Sequence, residues 1–181
     1  LSLCTSELPY DYEGFIFEET TVTGEYPIYL TTANGCDSIV TMNVKIRQDA
    51  DQYNNFSGSW DWFSTYIDDE STDVLDELKS ELQEYANVIK SSTEFINYSA
   101  GYWMGALKKI KNEQMYMIKT NKVHNTKVNG CVADSEENPI TIKKGWNHIG
   151  YISQYTSDVN EALAGLNVTP KDGDIIKSYR D

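Results

Sequence analysis

Gly58-Ser59-Trp60-Asp61-Trp62-Phe63-Ser64-Thr65-Tyr66 returns downstream as Gly145-Trp146-Asn147-His148-Ile149-Gly150-Tyr151. The echo continues in order. Val74-Leu75-Asp76-Glu77-Leu78 is answered by Val159-Asn160-Glu161-Ala162-Leu163, and Val88-Ile89-Lys90-Ser91 by Ile175-Ile176-Lys177-Ser178. Trp60 to Trp146 is 86 positions, Val74 to Val159 is 85 and Ile89 to Ile176 is 87. Three matches in one order at one period read as a tandem repeat. They divide the chain into a unit over residues 1–48, a polar linker over 49–57, a first copy over 58–144 and a second over 145–181. Asp181 follows soon after the second Ile-Lys-Ser. The second copy is therefore expected to be truncated, its parent chain supplying about 30 further residues to match what the first copy carries after Ser91.

Within the first copy, Trp60-x-Trp62 alternates as in a strand, so both indoles face one side. Asp68-Asp69-Glu70-Ser71-Thr72-Asp73 is a polar loop ending in N-cap residues. Val74, Leu75, Leu78, Leu82 and Tyr85 then follow helical spacing, which predicts a helix over 73–86. Asp76 and Glu77 sit in its first turn, where acids complement the helix dipole. Val88-Ile89 opens a buried strand, residues 94–101 form a hairpin or loop with Phe95 and Tyr98, and Met115-Tyr116-Met117-Ile118 is another strand. In the second copy Asp158-x-x-Glu161 resembles a capping box, and Val159, Ala162, Leu163 and Leu166 give a short helix face. Trp60 and Trp146 recur at matching positions and are expected in the core. Trp103, beside Gly105, is the aromatic expected to face a ligand.

Residues 1–48 read as a small all-β unit. Phe15-Ile16-Phe17 and Tyr26-Pro27-Ile28-Tyr29-Leu30 are strand-like, and Pro27 places the second at an edge or a strand start. Asn34-Gly35 is a hairpin signal. Val40, Met42, Val44 and Ile46 then alternate with polar residues, the mark of a half-buried strand. The expected class is α+β and mostly β: a small all-β unit followed by a tandem α+β repeat. Cys4 and Cys36 stand near the two ends of this unit. A bridge between them would close a loop of roughly 32 residues, worth about 3–4 kcal/mol in chain entropy; the alternative is two unlinked thiols. Cys131 is left as a small apolar residue, with no second Cys or His at ligand spacing.

The N-terminal unit resembles a short repeat of secreted and surface proteins of the Bacteroidetes. The resemblance rests on Cys4, Leu8-Pro9-Tyr10, Gly24-Glu25-Tyr26 and, above all, Asn34-Gly35-Cys36-Asp37-Ser38-Ile39-Val40-Thr41-Met42-Asn43-Val44. Asp11-Tyr12 stands where an aromatic such as Trp is commoner. Residues 58–178 resemble the tandem GWNWIGY…EAL…GDIIKS modules of the same kind of surface protein. Trp60, Trp62, Leu78, Ile89-Lys90-Ser91, Trp103-x-Gly105-x-Leu107 and Met115-Tyr116-Met117 carry this match in copy one. Gly145-Trp146-Asn147, Ile149-Gly150-Tyr151, Glu161-Ala162-Leu163 and Gly173-Asp174-Ile175-Ile176-Lys177-Ser178 carry it in copy two, with His148 in place of a second Trp. The resemblance implies an extracellular or cell-surface, non-catalytic module whose partners are other modules of its parent chain. It also supports the Cys4–Cys36 bridge.

Charge and motif content bound the chemistry. The net charge is −13, with eight acids and two bases over 1–50, and twenty acids and thirteen bases over 51–181. Both halves lack a basic stripe for phosphates, so nucleic acid is a poor partner and anionic membrane surfaces are disfavoured. No apolar run approaches a membrane span. The two histidines suggest no catalytic base: His148 replaces a repeat aromatic, and His124 lies in a polar surface stretch. No Gly-rich phosphate loop or nucleophile–base pair is visible, and no cofactor or metal site is expected. Asp68-Asp69-Glu70 and Asp134-Ser135-Glu136-Glu137-Asn138 depart from EF-hand spacing and read as solvated loops. Two functions remain. One is a spacing, adhesion or presentation segment of a large surface protein, touching other modules, a glycan or a surface protein. The other is a carbohydrate-binding module accessory to a glycan-degrading enzyme.

Overall fold

The computed structural model describes residues 1–31, 37–68, 73–166 and 169–178. The Asn34-Gly35 turn, Cys36 and Asp69-Glu70-Ser71-Thr72 of the acidic loop lie outside the described residues. The fold is α+β and mostly β. Its N-terminal strands are β1 (Ser2–Cys4), β2 (Tyr10–Tyr12), β3 (Phe15–Phe17), β4 (Gly24–Thr31) and β5 (Asp37–Arg47). Then come β6 (Asp49–Ser57), β7 (Trp60–Phe63), helix α1 (Val74–Leu82), β8 (Ala86–Lys90), β9 (Phe95–Ser99), β10 (Tyr102–Gly105), β11 (Tyr116–Thr120), β12 (Val123–Cys131) and the short helix α2 (Val159–Ala162).

The N-terminal unit is a three-stranded sheet in the order β1-β5-β4, with β2 and β3 paired beside it. Pro27 lies on β4, an edge strand, where its missing N–H costs no ladder bond. The alternation along β5 is real only at its C-terminal end. Val44 is buried with Leu3, Phe15 and Phe17, and Met42 and Ile46 pack beside them, whereas Val40 is exposed.

The main core lies between α1 and a five-stranded sheet ordered β10-β9-β8-β11-β7. α1 starts where the sequence places it: Asp73 is the N-cap and its carboxylate accepts from Leu75 N at 2.9 Å. Leu75, Leu78 and Leu82 form its fully buried stripe, and a single 3-10 turn, Gln83–Tyr85, ends it. β7 and β8 both pair antiparallel with β11, which runs between them. Phe63, Tyr116, Ile118, Ile89 and Ile96 all point inward from this sheet onto the helix side.

Residues 49–57 are not a linker. They form β6, paired over its whole length with β12 from Ser57↔Val123 to Asp49↔Cys131. Inward positions alternate as Gln52, Asn54 and Phe56, but two of the three are polar, which hides the period. Gln52 is nearly buried and its amide is fully used. Nε2 donates to Asn54 Oδ1 (2.9 Å) and Ser64 O (2.8 Å), while Oε1 accepts from Thr65 Oγ1 (2.9 Å) and Tyr66 N (3.1 Å). A side-chain amide offers two donors and two lone pairs, so none is left unpaid by burial.

The cysteine pairing differs from the expected one. Cys4 is bonded to Cys131, with Cα atoms 5.6 Å apart and 127 positions between them. β1 runs parallel beside β5, and β12 ends opposite Asp49, so both cysteines converge at the turn between β5 and β6. Cys131 is therefore a bridge partner rather than a free apolar residue. Around the bridge, Asp49 accepts from Ser6 N (2.7 Å) and Ser6 Oγ (2.8 Å), Arg47 pairs with Asp68 at 3.5 Å, and Lys45 pairs with Asp134.

Among the described residues of 145–178, regular structure amounts to α2 and one isolated bridge. Ile149 bridges Gln114, and Gly150 N donates to Glu113 O at 3.0 Å. Gly150 fits because a Cβ there would meet Asn112 O at 2.0 Å. α2 is only four residues long and none of them is buried. Three local contacts nonetheless recur at the spacing of the sequence echo. Ser57 N donates to Asp61 and Lys143 N to Asn147; Asp73 and Asp158 each cap the second residue of their helix; Lys90 lies over Trp60 and Lys177 over Trp146.

Tyr116 gives this core a pH dependence. Burial raises its pKa above 10.0, while its hydroxyl accepts from Lys111 N at 2.9 Å. A phenol whose folded pKa is raised contributes stability that is whole below the unfolded pKa and is lost as pH rises through the folded one. Urea midpoints measured at about pH 9 and about pH 11 should fall with pH, and Tyr116→Phe should lessen that fall.

Candidate functional site

The strand registers sort the sheet residues into two faces. Trp60 pairs with Lys119, which pairs with Val88; Trp62 pairs with Met117, which pairs with Lys90. Directly paired residues share a face, so these side chains stand together on the side away from α1. Val88 faces Asn97, Lys90 faces Phe95, and Met104 follows beyond Asn97. The result is an outer face on which Trp62 (38% exposed), Phe95 and Met104 are exposed and Trp60 and Met117 are half-buried. Both indoles of Trp60-x-Trp62 lie on one side, as their alternation predicts.

Trp60 is not a core residue. Its ring lies under two ammonium groups, Lys90 Nζ at 4.5 Å and Lys119 Nζ at 5.8 Å from the centroid. Each cation reaches it from a different strand, one from β8 and one from β11. Such contacts are worth about 0.5–1 kcal/mol at exposed sites. In a chain of net charge −13, this face gathers cations and aromatics together. Trp146 is likewise not in the core: it is 71% exposed, with Lys177 Nζ at 5.5 Å.

Trp103, expected from the sequence to face a ligand, lies on the side of the sheet that meets α1. It is half-buried against the main core and tilts onto Tyr98 at 5.3 Å. Its Nε1 donates to Lys79 O at 3.1 Å, in the last turn of α1. Gly105 explains the geometry, since a Cβ there would meet Phe95 O at 2.2 Å; β10 thus lies flush on β9 and turns Trp103 inward. His124 is not a free surface residue either, because its ring stacks on Tyr85 at 4.0 Å. His148 is exposed and its carbonyl accepts from Met115 N.

Among the described residues of the acidic segments, Asp68 and Asp134 are engaged in ion pairs. Asp68 meets Arg47 and Asp134 meets Lys45, and no group of three or more His, Cys, Asp or Glu side chains that could hold a metal occurs among the described residues. An open depression of about 480 Å³ lies where residues 137–143 meet Glu113, Gln114 and Ile149. No helix among the described residues is long and apolar enough to cross a membrane. The chain matches no protein-family model, and neither a curated protein nor a solved structure matches it.

The shared face of Trp60 and Trp62 was visible in the sequence, but not that it is the outer one, since Trp60 was expected in the core. The lysines were not visible, because Lys90 and Lys119 reach Trp60 only through the β7-β11-β8 order. Trp103→Phe should cost about 0.5–1.5 kcal/mol by deleting the bond to Lys79 O. Trp62→Phe, on the exposed face, should stay within about 0.5 kcal/mol of wild type. Denaturant midpoints of the two variants give the comparison.

Proposed function

We propose that this chain is a non-catalytic extracellular segment of a larger cell-surface protein, spacing and presenting other modules or adhering through them. The observation that carries the reading is the Cys4–Cys131 bridge. Structural disulfides belong to oxidising compartments. This one ties the first strand to the last strand of the first copy, and loop-closure entropy credits a 127-residue loop with about 5 kcal/mol. With the β6–β12 ladder it staples the N-terminal unit to the α+β module, which supports a spacing role. The resemblance of Asn34-Gly35-Cys36-Asp37-Ser38-Ile39-Val40-Thr41 and of the Trp-containing copies to Bacteroidetes surface repeats points the same way. Protease added to intact producing cells should remove the protein. Full survival of the protein until the cells are lysed would overturn the extracellular reading.

A second reading, a carbohydrate-binding module accessory to a glycan-degrading enzyme, draws on the outer sheet face. Indoles stack on sugar rings, and Lys90 and Lys119 offer charge to acidic sugars. Electrophoresis in gels containing an acidic polysaccharide separates the two readings. Retardation lost in Trp62→Ala and in Lys119→Glu supports the second, and migration equal to that in a blank gel removes it.

A further inference from the structure

Residues 145–178 leave an apolar surface open. Trp146, Tyr151, Val159, Ile175 and Ile176 are all exposed. Their counterparts in the sequence echo are mostly covered: Ile89 is 0% exposed against 58% for Ile176, and Val74 is 5% exposed against 42% for Val159. The first copy also shows what does part of the covering. β11 runs between β7 and β8, and Lys90 reaches across it to Trp60. In the second copy Lys177 reaches Trp146 in the same way, but no strand lies between the two segments among the described residues.

The free edge can be assigned. A residue of an antiparallel strand turns its N–H and C=O to one side, and successive residues alternate sides. Thr120 N donates to Ser59 O, so Ser59, Asp61 and Phe63 turn theirs toward β11. At the 86-position offset these correspond to Gly145, Asn147 and Ile149. The intervening residues of the second copy are already committed on the opposite side: Met115 N donates to His148 O and Gly150 N to Glu113 O. The edge carrying the backbone groups of Asn147 and Ile149 is the one that, in the first copy, receives β11; it ends at Tyr151, whose N–H already donates to Ser64 Oγ at 3.2 Å.

We propose that residues 146–149 and 174–177 form an acceptor for one added β-strand, and that its occupant is an extended segment of β11 chemistry. Such a segment alternates an aromatic and an aliphatic residue inward, as Tyr116 and Ile118 do, and carries a lysine on the other face, as Lys119 does over Trp60. It enters antiparallel to Trp146–Ile149, pairs with the Asn147 and Ile149 edge, covers Ile176, and brings its lysine to Trp146 beside Lys177. Added-strand recognition of this kind takes affinity from main-chain bonds and specificity from alternate side chains. It does not depend on the compartment in which the protein works.

A synthetic peptide of residues 114–120 (Gln-Met-Tyr-Met-Ile-Lys-Thr) titrated into the full chain tests the proposal by hydrogen exchange and tryptophan fluorescence. Expected are saturable binding, a slowing of about tenfold or more at the Ile149 amide, and an emission shift absent from a Trp146→Phe chain. An Ile118→Asp peptide should fail to bind, and so should the wild-type peptide with an Ile176→Asp chain; Ile176 is exposed, so that chain keeps its fold. No slowing at Ile149, or slowing confined to β7 and β8, overturns the proposal. Protection of Ile149 without peptide, rising with protein concentration alongside dimer formation, also overturns it by making a second copy the occupant.

Discussion

The pairing of β6 with β12 is the constraint on which the other parts depend. It joins a segment that leaves the N-terminal sheet to one that closes the α+β module, over nine paired positions from Ser57 to Asp49. Phe56 and Val128 enter the main core from it. Gln52 anchors its middle by fixing the loop Ser64-Thr65-Tyr66 with three of its four amide bonds, the fourth going to Asn54, and Asn112 holds the same loop through Thr65 O and Ile67 O. Asp49, at one end, gathers Ser6, and Cys131, opposite it, closes on Cys4. The Arg47–Asp68 and Lys45–Asp134 ion pairs add to the same junction between the N-terminal sheet and the α1 module.

The same organisation explains the division of labour across the five-stranded sheet. Its inner face is spent on α1, and its hydrophobic stripe is complete. Its outer face keeps Trp60, Trp62, Phe95 and Met104 with Lys90 and Lys119, partly exposed and interleaved with charge as a core would not be. Residues 145–178 carry a like Trp–Lys contact and two like local caps, while Ile175 and Ile176 stay exposed. Local contacts of this sort need only a few neighbouring residues, whereas burial of Ile176 needs a sheet around it.

What was legible in the sequence follows the same line between local and long-range effects. The helix from Asp73, the strands containing Ile89 and Ile118 and the edge position of Pro27 rest on nearby spacing, and they stand in the fold, whereas residues 94–101, read as a hairpin or loop, hold only the first strand and the turn of a hairpin that β10 completes. β6 was missed because Gln52 and Asn54 occupy inward positions and read as linker; their partners, Ser64 to Tyr66 and Thr126, are distant in sequence. The Cys4–Cys36 pairing looked natural within a small β unit. It gives way to Cys4–Cys131 because β1 lies beside β5 and β12 returns to Asp49, neither of which sequence spacing reveals. Trp60 and Trp103 exchanged roles for a related reason: strand register sends Trp60 outward, and the flush contact at Gly105 sends Trp103 inward.

The bridge offers the most direct test that the N-terminal unit and the α+β module form one stapled body. Proteolysis of the unreduced, thiol-blocked protein followed by mass spectrometry identifies which cysteine peptides are joined. The account predicts a linked pair containing Cys4 and Cys131. A linked pair containing Cys4 and Cys36, with Cys131 recovered as a blocked thiol, would contradict it.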